Sequence, residues 1–481
     1  MHRTIAALLV VSCLMASPAV AQLSLAWTRT WPSDGSSFGA SDLVVDRSGN
    51  VYVTAVLRDP ITHITYCALA KYSSAGTQLW EKRIPIIPGS SSSIIPDPHL
   101  KLDSQGNVIM THLKYTESTD LDCAVTSFDA NGNERWSQTF DPSTAGSYAT
   151  INSCDFVTVD PADNVIVFGA GDGALWTIKY SQTGAQQWAT ELDTNFVTYP
   201  FGLAAGLDGS AYVLTNWPDG FGGDDIVLIK YDSNGNQQWI QRYDSTSGGD
   251  DWPGEVAVDS AGNVVVVGYG ALGEYQRPYR YDIITLKYSA AGQSLWQKRY
   301  ENGVPQAGPG DVYDLWRAAV TFDAQGNILV TSRSPGETSK YDYAVVKYDS
   351  NGNEIWVRRY AGPANCDDEA SDVVTGGNGR VFITGFSETS CGSVPTPRQL
   401  YIAEYDAAGN FLGSALENEP SRGEYGIASW IAVDDNGNVY SMIRSQLRKY
   451  AGGWVPAPPL YFRDGFESGD LSAWSLSWPR P

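Results

Sequence analysis

Acidic and aromatic side chains stand side by side at several points of this 481-residue chain. Carboxylates bind sugar hydroxyls or cations, and aromatic rings stack on sugar faces, so such groups are typical of a glycan or cation site. The groups lie between repeated segments, not inside them. The candidate ligand-binding residues are Asp251, Trp252, Tyr313, Asp314, Trp316, Asp368, Glu424 and Tyr425.

The repeated segments are the elements that must position these groups, and residues 317–360 show one of them in full. Val-, Ile- and Tyr-rich stretches alternate there with two short turns, Asp323–Asn327 and Asp349–Asn353. Glycine supplies the positive φ that such a turn needs, and the Asp side chain caps backbone N–H groups. We therefore predict four antiparallel strands per segment.

Three sequence features recur once per segment and allow the segments to be counted. The first turn begins at residues 46, 103, 160, 259, 323 and 434, with degenerate copies at 206 and 376. A Lys-Tyr pair ends six third strands, and Ser127-Phe128 and Glu404-Tyr405 end the other two. The fourth strand carries Trp27, Trp80, Trp136, Trp188, Trp239, Trp296 and Trp356, with Phe411-Leu412 in the eighth place.

Eight repeats with successive Trp residues 51 to 60 positions apart predict an all-β fold, an eight-bladed β-propeller of four-stranded antiparallel blades. The strand around Trp27 stands alone at the start, and the unit ending at Tyr450 lacks a fourth strand. We therefore expect the N-terminal strand to complete the last blade and close the ring, which removes two exposed sheet edges.

The loops fall into two classes. The Asp-x-x-Gly-Asn turns are uniform, whereas the loops between second and third strands and between blades vary and share the opposite face. Functional residues concentrate on variable loops of rigid scaffolds. Because first strands line the channel of a propeller, the candidate residues would gather at its mouth. The alternative is a solvated acidic rim, given a formal net charge of −22.

The termini suggest export. An apolar run after Arg3 leads to Ala19-Val20-Ala21, which predicts a signal peptide over residues 1–21 with cleavage before Gln22. A lipobox-like run ending at Cys13 is the alternative. We expect the propeller over residues 22–452, a Pro-rich linker and tail over residues 453–481, no transmembrane segment, and a secreted or periplasmic monomer.

Five cysteines remain after cleavage, and an exported chain can oxidise them. Cys366 and Cys391 fall in two loops of the same face of one unit, so we predict a disulfide between them. Cys123 with Cys154 is a second possibility, which would leave Cys67 unpaired. The acidic charge argues against nucleic acid as a partner.

Other chemistries find less support in the sequence. The Asp-x-x-Gly turns lack the later bidentate Glu of a calcium loop. The histidines of the mature chain show no ligand spacing, so we expect no metal. No Gly-x-Ser-x-Gly elbow and no P-loop occur, and carboxylates are too many to mark one catalytic pair.

The units resemble the SBBP-type β-propeller repeat of exported bacterial proteins, an uncharacterised family. The resemblance rests on residues 45–54 and 347–352 and covers about residues 25–450. It implies the propeller and export, and no defined activity. The repeated Trp is also similar to the docking motif of eight-bladed quinoprotein dehydrogenases, but their adjacent cysteines are absent, so we expect no cofactor.

The sequence thus favours a non-enzymatic exported propeller that binds a protein or glycan through its variable loop face. The alternatives are a polysaccharide hydrolase or lyase with its site at the channel mouth, and a scaffold for envelope assembly.

Overall fold

The fold is seen in a computed structural model that describes most of the chain. The described residues are 23–31, 37–87, 98–115, 121–141, 152–171, 173–193, 198–218, 223–245, 249–271, 281–301, 318–336, 341–362, 364–391, 398–418, 429–443 and 445–451. The expected signal peptide and tail lie outside them.

In the described part of the chain, thirty-two strands form eight antiparallel sheets of four strands each. The N-terminal strand is β1 (Ser24–Thr30). Blade 1 contains β2 (Ser37–Val45), β3 (Val51–Arg58), β4 (Thr65–Tyr72) and β5 (Gln78–Ile87). Blade 2 contains β6 (Leu100–Leu102), β7 (Val108–Tyr115), β8 (Leu121–Phe128) and β9 (Glu134–Phe140). Blade 3 contains β10 (Phe156–Val159), β11 (Val165–Gly171), β12 (Ala174–Tyr180) and β13 (Gln186–Asp193). Blade 4 contains β14 (Pro200–Ala205), β15 (Ala211–Pro218), β16 (Asp224–Tyr231) and β17 (Gln237–Tyr243).

The second half repeats the plan. Blade 5 contains β18 (Trp252–Val258), β19 (Val264–Ala271), β20 (Tyr281–Tyr288) and β21 (Ser294–Tyr300). Blade 6 contains β22 (Ala319–Phe322), β23 (Ile328–Pro335), β24 (Tyr341–Tyr348) and β25 (Glu354–Tyr360). Blade 7 contains β26 (Asp368–Thr375), a 3-10 helix at Gly377–Gly379, β27 (Val381–Glu388), β28 (Arg398–Tyr405) and β29 (Phe411–Asn418). Blade 8 contains β30 (Ser429–Val433), β31 (Val439–Ile443) and β32 (Gln446–Ala451), with β1 as its fourth strand.

The ring closes as the sequence predicts, which confirms the eight-bladed β-propeller. Strand β1 pairs antiparallel with β32, with Ser24 opposite Ala451 and Thr30 opposite Gln446. The first strand of every blade contacts the first strand of the next blade, and β30 contacts β2. Eight hydrophobic clusters lie between the sheets, one in each junction, so every blade covers its neighbour's apolar face.

The hydrogen bonds of the turn between the first two strands explain why an Asp begins it and an Asn ends it. The Asp323 carboxylate accepts hydrogen bonds from the backbone N–H groups of Gln325 and Asn327, each at 2.9 Å. The Asn327 side chain donates back to the other carboxylate oxygen at 2.8 Å. Lys347 of the Lys-Tyr pair lies 2.7 Å from that same oxygen. The three side chains therefore tie the first turn of a blade to its third strand.

The repeated Trp joins each blade to the next. Its indole N–H donates, at 2.9 to 3.2 Å, to a carbonyl in the turn between the third and fourth strands of the following blade. Its ring lies over the glycine of that turn. The seven pairs, which we call Trp–Gly docks, are Trp27–Gly76, Trp80–Gly132, Trp136–Gly184, Trp188–Gly235, Trp239–Gly292, Trp296–Gly352 and Trp356–Gly409.

Blade 7 departs from this pattern, and the register corrects one sequence assignment. Trp356 stands opposite Lys347 in blade 6, and the equivalent Glu404 of blade 7 stands opposite Gly413. Phe411-Leu412 therefore does not occupy the eighth Trp position. The same bulge lies beside Tyr348 in blade 6 and beside Tyr405 in blade 7, so the residue of blade 7 equivalent to Trp356 is Gly413.

Two disulfides cross-link the described part of the fold. Cys366 joins Cys391 across the loops of blade 7, with Cα atoms 5.3 Å apart. Cys123 joins Cys154 between blades 2 and 3, with Cα atoms 5.1 Å apart. Cys67 is buried in β4 and belongs to neither bond. Within the described residues, no helix has the length and apolar character needed to span a bilayer.

Candidate functional site

A cavity of about 410 Å³ lies where the eight first strands meet. Every blade contributes to its wall with residues of its first strand or directly before it, between two and five residues ahead of the first turn. The walls carry side chains that differ from blade to blade, unlike the uniform turns. We call this cavity the channel site. Its side chains vary between blades although the surrounding scaffold repeats.

Three carboxylates of the channel site come from equivalent positions, four residues before the first turn. Asp42 accepts the backbone N–H of Leu100 in the next blade at 2.8 Å. Glu255 does the same for Val320 at 2.7 Å. Asp372 accepts the backbone N–H of Ile431 at 3.2 Å.

These bonds have a structural reason. A first strand at the centre of a propeller has one edge without a neighbouring strand, so its backbone N–H groups need other partners. The three acids supply them across the junctions between blades 1 and 2, 5 and 6, and 7 and 8. They also leave carboxylates on the cavity wall, so the same residues join blades and give the channel site its negative charge.

Aromatic rings share the wall with these acids. Phe156, Phe201 and Trp430 line the cavity. His99 stacks on Phe156, with ring centroids 5.6 Å apart and 17° between the planes. The His99 Nδ1 atom lies 3.7 Å from an Asp42 carboxylate oxygen, a distance for electrostatic attraction but too long for a direct hydrogen bond.

One further charge lines the site. Lys101 lies two residues before its turn and is the one lysine in the described part of the wall, against three carboxylates there. At neutral pH the described lining thus carries net negative charge next to three aromatic rings. Such a wall can hold an uncharged or cationic ligand that also offers an apolar face, and it disfavours an anion.

None of the described candidate residues from the sequence lies on the wall of the channel site. Tyr313, Asp314, Trp316, Glu424 and Tyr425 lie outside the described residues. Asp251, Trp252 and Asp368 are described, and none of the three lines the cavity. Trp252 is half-buried at the start of β18, where its ring meets the edge of channel-lining Phe201 at 6.5 Å.

Asp251 and Asp368 are fully buried and fasten the chain between blades. Asp251 accepts the backbone N–H of Ser245 at 2.6 Å and that of Ala271 at 2.9 Å. Asp368 accepts the backbone N–H of Gly362 at 2.5 Å. Burial raises the pKa of each carboxyl to about 6, against the opposing effect of these hydrogen bonds. The sequence marked these acids by their position before a first strand, and burial there gives them a structural role.

Asp251 also belongs to a trio of acids that could surround a cation. The carboxylate oxygens of Asp225, Asp244 and Asp251 lie within 4.8 Å of one another. Arg242 forms an ion pair with Asp225, and both oxygens of Asp251 accept hydrogen bonds. The trio is thus already joined to neighbouring groups of the protein.

The channel residues did not stand out in the sequence because they lie in or next to first strands, whereas clustered acidic and aromatic residues mark the loops. A usable signal exists, since the lining side chains recur four residues before the first turn. Reading that position in every blade returns, in chain order, Asp42, His99, Phe156, Gly202, Glu255, Ala319, Asp372 and Trp430.

Comparison with known proteins gives likeness of fold alone. No family model and no curated protein matches the sequence. The polysaccharide lyase Uly1 is 10% identical with a TM-score of 0.45, covering 89% of this chain and 100% of the lyase. The WD40 domain of SCAP from fission yeast is 9% identical with a TM-score of 0.44, covering 89% and 98%. The periplasmic gluconolactonase PpgL of Pseudomonas aeruginosa is 13% identical with a TM-score of 0.40, covering 67% and 88%. Likeness at this level carries no argument about function.

Proposed function

We propose that the protein is an exported, non-enzymatic β-propeller of the SBBP type that binds a glycan in the channel site, which its first strands enclose, and not on the surface of its variable loops. The observation that carries this proposal is the lining of the cavity, where three aromatic rings share the wall with three carboxylates. Its volume of about 410 Å³ is in the range of small-ligand pockets, about 300–1,000 Å³.

The negative charge of the wall indicates which class of sugar the channel site would bind. Asp42, Glu255 and Asp372 outnumber the single lysine, so a uronic acid or a sulfated sugar would meet repulsion. A neutral sugar would stack on the rings, and an amino sugar would in addition gain attraction from the carboxylates. We therefore expect glucosamine oligomers to bind more tightly than neutral oligomers, and galacturonic acid oligomers to bind least.

Titration calorimetry with these three oligomers tests the proposal. Trp430→Leu in blade 8 keeps an apolar side chain but removes the aromatic ring. Phe156→Leu makes the same change in blade 3. We expect each change to weaken binding at least about tenfold, as expected for loss of one central aromatic contact. Phe411→Leu is the matched control, because Phe411 is exposed on the outer strand of blade 7.

The outcomes separate the alternatives. Equal affinities for the three oligomers, or no binding to any, would contradict the channel assignment. New reducing ends in the incubated glycan would indicate the rival hydrolase, and new unsaturated ends the lyase. A partner captured from envelope extract that binds equally to the Trp430→Leu variant would place the functional surface on the loops and away from the channel.

A further inference from the structure

The three carboxylates of the channel site differ in their neighbours around the ring. Each lies four residues before a first turn, so the equivalent residues of the two adjacent blades stand on either side of it. Asp42 of blade 1 has Trp430 of blade 8 on one side and His99 of blade 2 on the other. Asp372 of blade 7 has an aromatic neighbour on one side only, and Glu255 of blade 5 has none. Asp42 is therefore the carboxylate of the described wall that lies between two rings.

Asp42 and Asp372 make the same hydrogen bonds to the backbone. One oxygen of Asp42 accepts the N–H of Leu43 at 2.7 Å, and the other accepts that of Leu100 in the next blade at 2.8 Å. Asp372 makes the two equivalent bonds at 2.7 and 3.2 Å. A carboxylate has about four lone-pair positions, so each of these acids can bind a ligand without giving up its backbone partners. A difference in ligand binding between the two then comes from their neighbours.

The surroundings of Asp42 suit an organic cation. The side chains of Asp42 and His99 are 16% and 23% exposed, so both reach the cavity. The His99 ring stacks on Phe156, which extends the aromatic surface to blade 3. A cation held by a carboxylate gains further attraction from ring faces beside it. Lys101 lies two residues nearer the turn, about 7 Å along the strand, and its repulsion keeps a cation at the level of His99.

We propose that Asp42 is the subsite of the channel site that binds the ammonium group of an amino sugar, and that protonation of His99 weakens this binding. The inference rests on the proposed function and adds the position of the charge. The His99 Nδ1 atom lies 3.7 Å from an Asp42 carboxylate oxygen. A neutral imidazole leaves the carboxylate its full charge, whereas an imidazolium at this distance offsets that charge and repels the ammonium. Binding of a cation therefore falls as the medium becomes acidic.

Two matched variants of the full chain test the position of the charge. Titration calorimetry at about pH 7.5 compares an N-trimethylated glucosamine oligomer, whose charge is permanent, with a neutral glucose oligomer. We expect Asp42→Asn to lower the ratio of these two affinities about tenfold, as for loss of a close charge pair. Asp372→Asn removes an equal charge that makes the same backbone bonds. It should lower the ratio by about two- to threefold, the effect of a more distant charge.

A pH series tests the part played by His99. Affinity for the trimethylated oligomer should fall about three- to tenfold from about pH 7.5 to about pH 5.5, because imidazole gains its proton in this range. Affinity for the neutral oligomer should change less than about twofold. His99→Gln keeps a polar side chain that does not titrate and should remove the fall. The other charges of the described wall, Lys101, Glu255 and Asp372, remain in this variant, which therefore controls for them.

The outcomes separate this inference from the proposed function. Equal losses of the affinity ratio in Asp42→Asn and Asp372→Asn, with binding still weakened by Trp430→Leu, would overturn the Asp42 subsite and leave the channel as the binding pocket. A fall in affinity at acidic pH that persists in His99→Gln would overturn the role of His99. Absence of binding by either oligomer would remove the proposed function and this inference with it.

Discussion

Two glycines of blade 6 allow the energetic contribution of a Trp–Gly dock to be measured against a matched control. Gly326 and Gly352 both have positive φ, +76° and +81°. A Cβ atom at Gly326 would meet nothing within 4 Å. A Cβ atom at Gly352 would lie 2.8 Å from the indole ring of Trp296, which is held in place by its hydrogen bond to Ser350 at 3.1 Å.

The magnitudes follow from these contacts. Alanine in a left-handed conformation costs about 1–2 kcal/mol, and both substitutions carry this cost. Displacing a packed ring to make room for an extra methyl group adds about 1–3 kcal/mol at Gly352 alone. We therefore expect Gly352→Ala to lower the free energy of unfolding by about 2–5 kcal/mol and Gly326→Ala by about 1–2 kcal/mol.

Urea unfolding followed by far-UV circular dichroism gives both values under identical conditions. Combining Gly352→Ala with Trp296→Ala should cost less than the sum of the two single changes, because the clash disappears with the ring. Equal losses for Gly326→Ala and Gly352→Ala would refute the reasoning, since they would show that the indole does not press on the turn.

Three further predictions concern closure, the disulfide and pH. Deleting residues 22–32 should expose the edge of β32 and cause concentration-dependent association in light scattering, and a monomer with unchanged melting temperature would contradict the role of β1. Replacing Cys366 and Cys391 by Ser opens a loop with a sequence separation of 25 and should cost about 3 kcal/mol in urea unfolding, whereas an unchanged midpoint would show that the bond adds nothing. Because the folded state raises the pKa of Asp251 and Asp368 to about 6, it binds their protons more tightly than the unfolded chain does, so their contribution to stability is greatest below about pH 4 and is lost as pH rises through 6. Asp251→Asn should flatten the fall in urea midpoint between pH 4 and 7, and an unchanged slope would argue against a raised pKa at this residue.

The architecture was accessible from the sequence because its determinants are local and repeated. Each Asp-x-x-Gly-Asn turn encodes its own hairpin, and counting turns against Trp27 was enough to predict ring closure. The exception is instructive. The sequence assignment gave the eighth Trp position to Phe411-Leu412, whereas strand pairing places Gly413 there, four residues after the turn glycine Gly409 just as Trp356 follows Gly352.

The candidate site was less accessible because its residues meet only across the ring. Asp42 and Leu100 are far apart in sequence and become partners because two first strands converge at the axis. The sequence shows that Asp251 is acidic and precedes a first strand, but it does not show that the Ser245 and Ala271 amides surround it. Residue type alone therefore could not distinguish a ligand-binding carboxylate from one that locks the chain between blades.

The pairing of β1 with β32 also has a consequence for the time course of folding. Ser24 and Ala451 are 427 residues apart, so the first strand to be synthesised waits for the last before it gains a partner. Seven blades can form from neighbouring segments as the chain emerges, whereas blade 8 requires the longest loop closure in the molecule. Until blade 8 closes, its strand edges have no partner, so we expect the almost complete ring to be the species most prone to aggregation.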